Sequence, residues 1–153
     1  MRLRVLWVGK TQDVWLKSGI DEYAGRIGRY LPLEIAEVRE EKGAPPDLMR
    51  SRESERLLKS LPKNSRLVLL DEKGDQLSSP EFASFIGRER DNGASELVFV
   101  IGGAYGVSDG VRARAGRTVA LSRMTFTHQM ARLFLLEQLY RGLTILNNES
   151  YHH

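Results

Sequence analysis

Two rhythms of apolar and polar residues alternate along this chain. Short apolar runs at Leu3 to Val8, Leu33 to Val38, Arg66 to Leu70, Leu97 to Ile101 and Thr118 to Leu121 predict five strands. Between them apolar residues recur at helical spacing. Leu16, Ile20, Tyr23, Ile27 and Tyr30 give one apolar face to a helix that Asp13 starts and that runs through Leu31. Leu48 to Leu61 predicts a highly charged helix with a sparse apolar face, closed by Pro62. Ser79-Pro80-Glu81 reads as a helix start, with Ser79 as N-cap and Pro80 in the first helical position. Phe82, Phe85 and Ile86 are its inward residues. Ser108 caps a short helix through Ala115, and Thr127 to Leu143 forms the last one. Glu40 to Asp47, which holds the Pro-Pro pair, predicts a surface loop, and Asp71-Glu72-Lys73-Gly74 predicts a turn. Strands alternating with helices predict an α/β fold over residues 1–153, a single domain with a mostly parallel sheet and helices on both faces.

Leu97 to Gly106, LVFVIGGAYG, is the segment around which this pattern is organised. Its apolar run suits a central strand covered on both sides. It leads directly into Gly102, Gly103 and Gly106, where the absence of Cβ atoms lets backbone N–H groups approach a ligand. The last helix carries apolar residues on more than one face: Met130, Ala131, Leu133, Phe134, Leu135, Leu136, Leu139, Tyr140 and Leu143. It therefore needs a second surface to cover it, and in so short a chain that surface is expected on a second copy, giving a homodimer.

Composition narrows the function. With 153 residues, 41% hydrophobic and 28% charged, the chain falls in the globular range. The only apolar run near the N-terminus is too short for a signal sequence or a membrane span. Zero cysteines exclude disulfides and thiolate metal sites and agree with a cytoplasmic location. The net charge of +3 is concentrated in the first and last parts of the chain, which permits an anionic partner such as RNA. The sequence has no P-loop, no Gly-x-Gly-x-x-Gly fingerprint and no Gly-x-Ser-x-Gly elbow. His128, His152 and His153 are the only histidines, and no ligand spacing joins them, so no metal site is expected. Three strand ends remain: Leu70, the Gly102-Gly103 turn and the Leu121 to Phe126 segment. Ligands bind at the carboxyl ends of parallel strands. Loops of this apolar and polar mixture suit a flat heterocycle with a polar rim, such as adenine.

VLWVGK near the start, VFVIGGAYG, LSRMTFTHQMARLFLLEQLYR and the terminal SYHH together resemble the RlmH family of SPOUT methyltransferases, in order and over essentially the whole chain. The resemblance implies N3-methylation of pseudouridine 1915 in helix 69 of 23S ribosomal RNA. It also implies S-adenosylmethionine (SAM) as methyl donor, a C-terminal trefoil knot, and a homodimer interface beside the cofactor. By position it assigns SAM contacts to Leu70, Gly102, Leu121, Ser122, Arg123, Met124, Thr125 and Phe126. Thr127 stands where many relatives have proline, and as a cap it should preserve the loop.

The chemistry asks the protein to align the methyl carbon with N3 and to help remove the imide proton. His128 is a candidate base or orienting group, or else merely the start of the last helix. Tyr151 and His152 are candidates to hold or deprotonate the base, with a frayed tail as the alternative. Arg132 and Arg141 are candidates to meet phosphates. Two other functional classes are consistent with the fold: a noncatalytic RNA-binding ribosome-assembly factor and a nucleotide sensor without an RNA partner.

Overall fold

The computed structural model describes residues 1–153. Five strands and five helices alternate: β1 (Arg2–Val8), α1 (Val14–Ile27), β2 (Leu33–Val38), α2 (Pro46–Lys59), β3 (Arg66–Gln76), α3 (Ser79–Asp91), β4 (Glu96–Ile101), α4 (Asp109–Arg114), β5 (Arg117–Ala120) and α5 (His128–Leu146). All strand pairs are parallel, in the order β2-β1-β4-β3-β5. The sheet therefore has β4, the expected central strand, between β1 and β3.

Side-chain alternation along the strands divides the core in two. Leu3, Val5, Trp7, Leu97, Phe99 and Ile101 face α1, α3 and α5. Leu6, Val8, Leu67, Leu69, Val98 and Val100 face the side covered by α2 and α4. Residues Leu97 to Ile101 are all buried, as a strand covered on both faces requires. α5 lies between α1 and α3, and Gly19 of α1 brings that helix against Leu133.

Several element details differ from the sequence expectation. The cap of α3 is Ser78, not Ser79. Its hydroxyl accepts from the Glu81 N–H while the Glu81 carboxylate accepts from the Ser78 N–H, a reciprocal capping box. α1 ends at Ile27 and not at Leu31, and α2 begins earlier, at Pro46. The inward face of α2 is partly polar, with Glu53 and Ser54 buried beside Leu57. Asp71 to Gly74 does not end β3. The strand leaves the ladder after Leu70 and rejoins it at Asp75, with both residues paired to Val119. Gly74 lies flat on β5, where a Cβ would come within 2.7 Å of backbone atoms of Thr118 and Val119.

Thr127 caps α5 as expected, its hydroxyl accepting from the Met130 N–H at 3.1 Å. At the other end Asn148 adopts a left-handed backbone, φ 55°. The Glu149 N–H then bonds the Thr144 carbonyl at 2.9 Å, closing the helix and reversing the chain. The last residues consequently return along α5.

Candidate functional site: a strand-end cavity with a docked C-terminal tail

A cavity of about 220 Å³ opens at the carboxyl ends of β3 and β5. Leu70, Val119, Ala120 and Leu121 form its strand side, and Phe82, Phe126 and Phe134 contribute aromatic walls. Its polar residues are Ser79 and Gln138, bonded to one another from the Ser79 hydroxyl to the Gln138 side-chain carbonyl at 2.6 Å. Such a slot excludes water from a flat apolar ring and keeps a few hydrogen-bonding groups at its edge. A larger hollow of about 400 Å³ near Arg50 and Arg112 is mostly polar. There the two guanidiniums are already paired with Asp47 and Asp71.

Of the residues assigned to SAM by resemblance, Leu70, Leu121 and Phe126 line the cavity. The residues between the last two form a loop held by one internal hydrogen bond and one to β3. The Ser122 hydroxyl accepts from the Met124 N–H at 3.0 Å, and the Thr125 hydroxyl donates to the Glu72 carboxylate. Met124 and Arg123 project outward. Gly102 lies at the end of β4 in the neighbouring turn. A Cβ there would stand 2.8 Å from Val107 Cγ1 and 3.0 Å from the Gly106 backbone, so the fold of the turn itself requires glycine. A side chain at 102 would thus meet the protein's own turn before it met any ligand. Sequence reading missed Gln138 and Ser79 as polar groups of the wall. Gln138 stands one turn after Phe134 on α5, the spacing that puts two side chains on one face.

Arg132 is corrected as well. It is 0% exposed. Its guanidinium donates to the Val8 carbonyl at 2.6 Å and the Thr11 hydroxyl at 3.0 Å, and it lies 4.7 Å from the Trp7 ring centre. Burial lowers its pKa to about 10, against the opposing pull of Glu37 and Glu40. It is a structural cation and not a surface contact for phosphate. Nearby, His128 occupies the first position of α5. Burial, then the Arg132 charge, lowers its pKa below the ordinary imidazole value, with Glu40 opposing. His128 is thus held neutral near pH 7, the form that can accept a proton.

The C-terminal tail is docked and not frayed. The Tyr151 hydroxyl donates to the Glu137 carboxylate at 3.0 Å, and the Tyr23 hydroxyl lies 3.0 Å from that of Tyr151. Tyr151 also meets the Tyr140 ring edge to face, with centroids 4.7 Å apart. Arg141 forks onto Glu137 and lies 4.7 Å over the Tyr151 ring. Burial, followed by the bonds with Tyr23 and Glu137, raises the Tyr151 pKa. Its phenol stays protonated and is a poor proton acceptor. His152 lies against Arg141 at 3.1 Å, whereas His153 is exposed.

The family described as "Predicted SPOUT methyltransferase" matches residues 1–152. Proteins named ribosomal RNA large subunit methyltransferase H are similar over the full chain. Those of Geotalea daltonii and Geotalea uraniireducens are 69% and 67% identical over 100% of both chains. That of Geobacter sulfurreducens is 65% identical with the same coverage. Among solved structures, the SpoU methyltransferase AviRb from Streptomyces viridochromogenes, in complex with AdoMet, has a similar fold, with TM-score 0.50 and 18% identity. The match covers 97% of this chain and 59% of that one. The chain belongs to the SPOUT methyltransferase family, within the group of ribosomal RNA large subunit methyltransferase H.

Proposed function

We propose that this chain is a SAM-dependent methyltransferase of large-subunit ribosomal RNA that methylates N3 of the helix-69 pseudouridine in 23S RNA. The observation that carries this reading is the apolar cavity at the ends of β3 and β5, in a chain matched end to end by relatives named ribosomal RNA large subunit methyltransferase H. Its aromatic and aliphatic walls fit an adenine ring, and Ser79 and Gln138 supply polar groups beside it. The AdoMet complex of a protein with the same fold adds support. When bound, SAM supplies an electrophilic methyl group on a sulfonium.

The protein's own contribution is binding, exclusion of water and management of one proton. Leu70, Leu121 and Phe126 remove the cofactor's apolar surface from water. His128, neutral at working pH and two residues beyond Phe126, is the group suited to accept the imide proton. Arg141 and the tail serve the RNA side. The homodimer and the trefoil knot belong to the same reading. Exposed Phe126 and Phe134 beside the cavity supply apolar surface for a partner subunit, and the excursion of β3 across β5 is consistent with a later strand lying beneath an earlier loop.

Labelled SAM and ribosomes lacking the modification provide the test. Label is expected at N3 of the helix-69 pseudouridine. Incorporation elsewhere, or none on any ribosomal substrate, removes the reading.

A further inference from the structure

Glu137 and Arg141 stand one helical turn apart on α5 and leave His152 little freedom. Arg141 donates through Nε and Nη2 to Glu137 Oε1, at 3.1 and 2.7 Å. The third contact of the guanidinium runs from Nη1 to Nδ1 of His152 at 3.1 Å. A guanidinium has donors and no acceptor. The Nδ1 atom in this contact must therefore present its lone pair, which places the ring proton on Nε2. Glu137 also receives the Tyr151 hydroxyl at 3.0 Å, so the tail is tied to this carboxylate directly by Tyr151 and through Arg141 by His152. Its second oxygen receives the side-chain amide of Gln138 at 2.9 Å, and Gln138 is a wall of the cavity.

We infer that Glu137 and Arg141 are positioning residues that fix His152 in the Nε2–H tautomer, so that His152 donates a hydrogen bond to the target base and does not take its proton. The inference rests on the proposed methyl transfer. As N3 of an imide loses its proton, negative charge spreads to the two flanking carbonyl oxygens. An N–H aimed at either oxygen stabilises that charge as it develops. With Nδ1 occupied by Arg141 and Nε2 already protonated, the ring has no lone pair left for the imide proton. That task falls to another group, and the neutral His128 is available for it.

The closing experiment separates donor from base by substitution. Glutamine can place an amide N–H near the position of Nε2 but cannot act as a base at neutral pH. His152→Ala is expected to slow methyl transfer ~100-fold, the loss typical of a removed charge-stabilising donor. His152→Gln should remain within about 10-fold of wild type if the donor is what matters. A His152→Gln rate as low as that of His152→Ala overturns the inference. Nitrogen-15 NMR of histidine-labelled protein reads the tautomer without any reaction. Wild type should show His152 with an unprotonated, hydrogen-bonded Nδ1, and Arg141→Ala should shift that resonance. A protonated Nδ1 in wild type, or a resonance unmoved by Arg141→Ala, overturns the tautomer assignment. A fully active His152→Ala enzyme with the NMR result intact overturns the donor role of His152 and leaves the proposed methyl transfer standing.

Discussion

Arg132 illustrates what a residue's neighbours do to its meaning. It stands four positions before Leu136 and seven before Leu139, on the inward stripe of α5, and that spacing was visible in the sequence. Its charge suggested phosphate, but its position placed it inside. Truncation would orphan the Val8 carbonyl and remove the cation from the Trp7 face. Arg132→Ala is therefore expected to lower stability by about 2–3 kcal/mol, measured by denaturant unfolding. Glu53 gives a second prediction. One of its oxygens accepts from the Glu41 N–H at 3.0 Å, while Oε1 is buried without a partner near Gly103. Burial raises its pKa above the ordinary value of 4.5, against the opposing Glu41 N–H. A carboxyl whose pKa is raised on folding binds its proton more tightly in the native state, so its ionisation weakens the fold as pH rises past the unfolded value. Glu53→Gln should thus gain stability relative to wild type at pH 7, with the gain shrinking toward pH 4. Thermal melts across that range check the trend, and a pH-independent difference would contradict it.

At the scale of elements, periodicity was a good guide wherever packing follows a simple face. The five strands and the inward residues of α3 could be read directly, because alternation and helical spacing record burial. What periodicity could not show was the path of β3 after Leu70, since a turn-like DEKG sequence is equally suited to a bulge that rejoins its own ladder. The Gly74 contact makes this feature testable. Gly74→Ala places a methyl group against the Thr118–Val119 backbone, which cannot yield as a side-chain tip would. A loss of about 3 kcal/mol or more is expected, whereas Gly93→Ala, with open space around it but a φ of +80°, should cost about 1 kcal/mol. Comparative unfolding of the two variants decides. That the tail docks could not be read from the sequence, because its side chains are polar and aromatic with no apolar periodicity, and the partners that hold it include Tyr23, 128 positions away. Deleting residues 151–153 is now expected to reduce stability by about 1–2 kcal/mol through the lost Tyr151 bonds, and to abolish methyl transfer while SAM titration by calorimetry changes little.

The whole molecule displays apolar surface that its own chain does not cover. Phe126 and Phe134 lie with ring centroids 4.8 Å apart and are both exposed, as are Val14 and Trp15 near the start of α1. The surplus of apolar residues on α5 pointed to a partner in the sequence, although Leu135, Leu136, Leu139 and Leu143 proved to belong to the internal core. The partner surface therefore rests on fewer residues than the periodicity suggested. A two-fold dimer that includes Phe134 is expected, with light scattering giving twice the chain mass at micromolar concentration. Phe134→Glu should shift that equilibrium toward monomer, and a wild-type monomer at the same concentration would rule the dimer out.

The order of the strands also bears on how the chain is made. β4 lies between β1 and β3 but follows both in sequence. During synthesis β1 can join β2 as soon as both have emerged, whereas β3 emerges with no neighbour to pair with. The β1–β2 pair and the single strand β3 flank a vacant slot until Glu96–Ile101 has left the exit tunnel. That one insertion joins β3 to the β1–β2 pair, and the covering helices α4 and α5 come after it, so chain collapse should come late. Nascent chains arrested with fewer than about 100 residues outside the tunnel would expose the edges of β1 and β3, which makes them natural clients for chaperones.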